Sequence, residues 1–192
     1  MSALLLLALS AALTEAPVTR PVAIDRLQDL NSALLSRPSA TATLQAWCDK
    51  AHPGAKIVAI QVKGAVRPAG PRERADLKIK ADEPIRYRRV QLTCADQVLS
   101  EADNWYLPGH LTSEMNRALE TTETPFGVVV RPLDFRRTTL RTDLMIRPGQ
   151  DWPWQRWALP AEILRHRAVL SRPDGQVFSL VVETYQDDLI GP

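Results

Sequence analysis

Arg86-Tyr87-Arg88-Arg89-Val90-Gln91-Leu92-Thr93-Cys94-Ala95-Asp96-Gln97 is the stretch on which the fold turns. Val90, Leu92 and Cys94 fall on one side of an extended chain, and Tyr87, Arg89, Gln91 and Thr93 on the other. That is the two-residue period of a strand. Asp96-Gln97 reads as a tight turn into a partner strand running to about Leu107, where Pro108-Gly109 breaks it. A second hairpin closes the chain, with runs Ile163–Leu170 and Val177–Tyr185 joined around Pro173-Asp174-Gly175.

Helices come before and between these hairpins. Ile24, Leu27, Leu30, Leu34 and Leu35 repeat at helical spacing up to Arg37-Pro38, which ends the helix because proline pushes its predecessor out of the helical region. Ser39 or Thr41 caps a second helix carrying Leu44, Trp47 and Cys48. Lys56–Lys63 alternates as a strand with Val58, Ile60 and Val62 on one face, and Gly64 to Pro84 reads as a loop. Thr112 caps a helix marked by Met115 and Leu119. Thr124-Pro125-Phe126-Gly127 is a turn before an apolar strand Val128-Val129-Val130, and a further strand covers Thr138–Ile146. Helices early, one helix mid-chain and strands in sequential hairpins predict an α+β fold with an antiparallel sheet and flanking helices.

The 192 residues suffice for one domain with a hydrophobic core. Met1 to Ala16 is an apolar run of signal-peptide length, ending in small residues at Ser10, Ala12 and Ala16 but lacking Lys or Arg at its start. We read 1–16 as a signal peptide and 20–192 as a single domain; the competing reading is an apolar first helix. A net charge of +2 is too small to suggest a nucleic-acid partner. Two cysteines and three scattered histidines argue against a metal centre. If the chain is exported, Cys48 and Cys94 can form a disulfide; the competing reading is two buried thiols. Trp152, Trp154 and Trp157 read as a locally packed aromatic lid or core edge.

Nucleophile-elbow, P-loop and dinucleotide motifs are missing. The informative positions are ionisable residues on strands. Arg89 shares its face with Tyr87, Gln91 and Thr93, and Glu183 follows Leu180-Val181-Val182. A carboxylate in so apolar a strand needs a cation or a ligand hydroxyl. Arg89 and Glu183 are therefore expected to face one cavity, as a binding pair or as a structural ion pair.

Tyr87–Asp96, Ala102-Asp103-Asn104-Trp105-Tyr106-Leu107-Pro108, Leu111-Thr112, Thr124-Pro125-Phe126-Gly127 and the closing hairpin with Glu183 occur in the order seen in chorismate lyases, and the chain resembles that family. The resemblance implies a chorismate-lyase-like fold and elimination of pyruvate from chorismate to leave 4-hydroxybenzoate, without metal or organic cofactor. It implies Arg89 as the carboxylate-binding residue, Phe126 as a backbone contact, and Glu183 as ligand contact and candidate catalytic group. Ala40 stands where the family has a methionine and Asn104 where it has an arginine, so the pocket is expected to be wider and less cationic. The expected ligand is a small aromatic carboxylate, bound by a monomer without stable membrane insertion once the signal is removed. Export places the chain in the periplasm or outside the cell, while chorismate chemistry suggests the cytoplasm. The alternative to a lyase is an exported, non-enzymatic module of the same fold.

Overall fold

A computed structural model describes residues 20–37, 39–80, 82–146 and 159–191. The signal segment 1–16 and the Trp152–Trp157 cluster lie outside the described residues. Six strands form one sheet in the order β1-β2-β3-β6-β5-β4, antiparallel at every seam. They are β1 (Val58–Gln61), β2 (Arg86–Cys94), β3 (Gln97–Tyr106), β4 (Arg136–Leu144), β5 (Glu162–Ser171) and β6 (Val177–Gln186). Among the described residues no helix is long and apolar enough to cross a membrane.

Two helices cover one face of this sheet. Along α1 (Arg20–Ser36) the buried residues Ala23, Leu27, Leu30 and Leu34 recur every three to four positions, so a single stripe meets the strands. In α2 (Ala40–Ala51) the Ser39 side chain accepts the Ala42 N–H, and Leu44 and Cys48 point inward. They pack with Val90, Leu92, Ala102, Val181 and Tyr185 from the sheet. Cys48 and Cys94 are bonded, with Cα atoms 5.9 Å apart, which ties α2 to the end of β2. Further along, α4 (Ser113–Thr121) starts on Thr112, whose hydroxyl accepts the Met115 N–H, and buries Met115 and Leu119.

Four local expectations are corrected. The first concerns β1, where Ile57 and Ala59 face the core and Ile60 is 43% exposed. The period holds, but the face is the opposite one, because the small Ala59 is what sits among Leu44 and Cys48. The second concerns the Gly64–Pro84 segment, which contains α3 (Pro71–Leu77). Pro71 opens that helix, the Glu73 side chain accepts the Gly70 N–H, and Lys78 ends it at φ 55°. Its one buried residue, Leu77, packs with Trp105 and Leu180 on the other face of the sheet. Third, the run after Pro125 is a short helix, α5 (Phe126–Val129), followed by a single 3-10 turn, Arg131–Leu133. Val128 and Val129 both donate to the Pro125 carbonyl, and this closure overrides the strand preference of three consecutive valines. Last, the β2–β3 turn residues are Ala95 and Asp96, both at positive φ, one position earlier than expected.

Candidate functional site

A partly open cavity lies between the sheet and the helices on its α1–α2 side. Its floor is Arg88, Val90 and Leu92 of β2, Ala102 and Asn104 of β3, and Val181 and Glu183 of β6. Leu170 of β5 and Arg137 of β4 complete it, and the roof is Ser39–Thr41 with Phe126, Gly127 and Phe135. Gly127 allows the roof its close fit, since a Cβ there would stand 3.3 Å from the Ser39 Cβ.

The strand period decides which arginine enters. Arg88 continues the series of Val90, Leu92 and Cys94, so its side chain crosses to the core face and the residue is only 3% exposed. Arg89 points the other way, 44% exposed at its side chain, and donates to Glu101 at 2.5 Å. The expectation that Arg89 and Glu183 share a cavity is thus corrected: the polar side of β2 is the outer side. A one-residue step along a strand exchanges the two faces of the sheet. Phe126 and Glu183 do line the cavity together. The Phe126 N–H stands ahead of the hydrogen-bond ladder of α5, which begins with Val128 and Val129.

Arg88 is the anomaly of the site. Its Nε, Nη1 and Nη2 are all buried, and none has a hydrogen-bond partner among the described residues. A guanidinium keeps its proton at any ordinary pH, so this is a positive charge enclosed mostly by apolar side chains. Burial pulls its pKa downward.

Glu183 is held differently. Its Oε2 accepts Arg137 Nη2 at 2.7 Å and the Tyr185 hydroxyl at 3.0 Å. Burial, the largest influence, opposes the charge on Arg137, yet Glu183 and Tyr185 beside it together outweigh burial and the pKa is raised. Tyr185 is pushed well above its usual range by burial and then by Glu183, so it stays a donor. Behind the pair, His166 Nε2 donates to Asn31 Oδ1 at 2.8 Å, which leaves Nδ1 to accept Arg137 Nη2 at 3.4 Å. Burial and then Arg137 lower the His166 pKa to about 4, so the imidazole is neutral at pH 7.

Two guanidiniums against one carboxylate give the cavity a net positive charge. It is also narrow, at about 50 Å³. For comparison, an apolar cavity of roughly 150 Å³ takes up benzene. Phe135 and Arg137 also line the pocket, taking up space and adding charge that the reading of Ala40 and Asn104 left out. Asn104 itself is turned to structure, its Oδ1 accepting the Ser179 hydroxyl at 2.7 Å. Among the described residues no group of three or more His, Cys, Asp or Glu is arranged to hold a metal ion.

No protein-family model matches the chain. The uncharacterized protein y4mC of Sinorhizobium fredii (strain NBRC 101917 / NGR234) is 44% identical over 191 residues, which cover 91% of this chain and 79% of that protein. Among solved structures, PhnF from Mycobacterium smegmatis matches with TM-score 0.55 and 15% identity over 80% of this chain and 66% of PhnF. The effector domain of PhnF matches with TM-score 0.55 and 14% identity, over 79% of this chain and 90% of the domain. At such identities the likeness is one of fold, and the α+β, chorismate-lyase-like architecture is the one those domains have.

Proposed function

We propose, for a chain that belongs to the same family as the Sinorhizobium fredii protein y4mC, that its cavity is a binding site for a small organic anion. The observation that carries this reading is Arg88, three of whose nitrogens are buried without a partner. An uncompensated buried charge costs several kcal/mol, and a bound carboxylate recovers that by a forked pair of charge-assisted hydrogen bonds. Glu183 stands two strands away on β6, about 10 Å across the sheet by strand spacing. Only its Oε2 is engaged by Arg137 and Tyr185, so Oε1 offers an acceptor to a hydroxyl. The ligand is therefore anionic at one end and a neutral hydrogen-bond donor at the other.

The fold shared with the PhnF effector domain supports binding over turnover. The runner-up is the lyase reading, in which Glu183 moves a proton while chorismate loses pyruvate. Calorimetry against 4-hydroxybenzoate, with a parallel assay for pyruvate release from chorismate, separates the two.

The decisive variant is Arg88→Met. Its affinity for 4-hydroxybenzoate is expected to fall by roughly 2–5 kcal/mol, as for other broken buried charge pairs. Its stability is expected to rise by about 1–3 kcal/mol, because an uncompensated buried charge has gone. Unchanged affinity alongside a raised melting temperature would overturn the assignment.

An oxidising compartment is part of this proposal, and the Cys48–Cys94 bridge, of a kind that persists there, supports it. N-terminal sequencing of the soluble protein is expected to begin after Ala12 or Ala16. An intact Met1 or Ser2 on that protein would count against export.

A further inference from the structure

The polar groups behind the cavity form a continuous chain, buried except at its half-buried start on Asn31. From α1 it runs Asn31, His166 on β5, Arg137 on β4, Glu183 on β6 and Tyr185, also on β6. His166 is the cross-strand neighbour of Glu183 and is fully buried. The charged groups that act on its ring, Arg137 and Glu183, are both in this chain, Thr142 is its neighbour on β4, and the Tyr185 ring meets it edge-on at 5.6 Å. Arg137 is tied at both ends of its guanidinium: Nη1 donates to Thr139 Oγ1 at 2.8 Å and Nη2 to Glu183. Its Nε is buried without a partner.

We propose that His166 is a positioning residue for the ligand-facing carboxylate, acting through Arg137. The proposal rests on the anion-binding reading of the cavity and deepens it. Neutral imidazole with its proton on Nε2 offers Nδ1 as the one acceptor on its side of Arg137 Nη2, so the guanidinium lies in a single orientation. That orientation brings Nη2 onto Glu183 Oε2 and leaves Oε1 turned to the cavity. With a second imidazole proton, Nδ1–H would confront an Arg137 N–H, two donors face to face, and the arrangement would be lost. The same ring also ties β5 to α1 through Asn31. A merely structural role would need that bond alone.

Two substitutions separate these roles, because each keeps a different half of the imidazole. His166→Asn places an amide oxygen near the Nδ1 position and keeps an acceptor for Arg137. His166→Gln reaches the Nε2 position and keeps the contact with Asn31. At pH 7.5, 4-hydroxybenzoate is expected to bind His166→Asn within about threefold of the unmodified protein, and His166→Gln at least tenfold more weakly. The reverse order would overturn the proposal and leave His166 as a strut for α1.

A second readout needs no ligand. The buried Arg137 Nε–H is expected to exchange slowly and to give a resolvable nitrogen–proton NMR signal. Its position is expected to survive in His166→Asn and to shift or broaden in His166→Gln. Should the unmodified protein fail to bind 4-hydroxybenzoate, the anion-site reading falls, while the Arg137 signal still decides whether His166 orients that guanidinium. An Arg137 signal identical in all three proteins would overturn the proposal whatever the ligand does.

Discussion

Reducing the Cys48–Cys94 bridge is expected to lower the unfolding free energy by about 4 kcal/mol. The bond closes a loop of 46 residues, and the chain-entropy relation for a loop of that length gives roughly this value at 25 °C. Both sulfurs are fully buried, and they join α2 to the last residue of β2. Reduction therefore frees the unfolded chain and also loosens the helix whose first turn roofs the cavity. Urea titrations with and without a strong reductant measure the difference, with thiol labelling of unfolded samples confirming the redox state. Coincident midpoints for the bonded and reduced proteins would show that the bridge contributes nothing.

Glu183→Ala is expected to cost about 3–5 kcal/mol of stability, the usual penalty for leaving one member of a buried ion pair behind. Arg137, 4% exposed at its side chain, then carries an uncompensated charge, and the Tyr185 hydroxyl loses its acceptor. Replacing both members with apolar residues of similar size, Arg137→Met with Glu183→Leu, should recover most of that loss. Desolvating two charges gains little over an apolar pair, so the double variant is expected near the parent or above it. A loss under 1 kcal/mol for Glu183→Ala in urea unfolding would mean that the pair is not the buried lock described. The contrast with Arg88→Met is direct: removing the paired group destabilises, and removing the unpaired one stabilises.

The strands are legible in the sequence for two different reasons. Val90, Leu92 and Cys94 fix the period of β2, whereas β5 and β6, buried on both faces, show as apolar runs on either side of Pro173-Asp174-Gly175. Helices α1, α2 and α4 are visible through stripes such as Leu27, Leu30, Leu34 and caps such as Ser39 and Thr112. In contrast, α3 has a single buried residue, Leu77, and one residue carries no period. Likewise α5 is set by a closure onto Pro125, which propensity opposes.

The site was half legible. Glu183 stands out because a carboxylate interrupts an apolar strand. Arg88 was available from the same alternation that places Val90 and Leu92 inside, but the polar set around Arg89 drew attention to the wrong face. An antiparallel sheet can leave one face to water, and here Arg89, Glu101 and Asp103 belong to that face. Arg137 had no such signal. The Arg136–Leu144 strand alternates too weakly for any pattern to say that its second residue reaches across to β6. The pairing of Cys48 with Cys94 likewise depends on where α2 lies over β2, which spacing alone does not encode.

The order of strands in the sheet has a consequence for how the protein is made and measured. Arg88 and Glu183 stand 95 residues apart in the chain (183 − 88), and they line one cavity only because β3 and β6 form the central seam. As synthesis proceeds, the first hairpin emerges with Arg88 on it, well before the strand that carries Glu183. No contiguous fragment short of β6 contains both ends of the cavity, however helical or sheet-like its spectrum. On the proposed function, ligand uptake is a census of completed molecules: titrating a preparation to saturation would count the chains in which the two hairpins have joined.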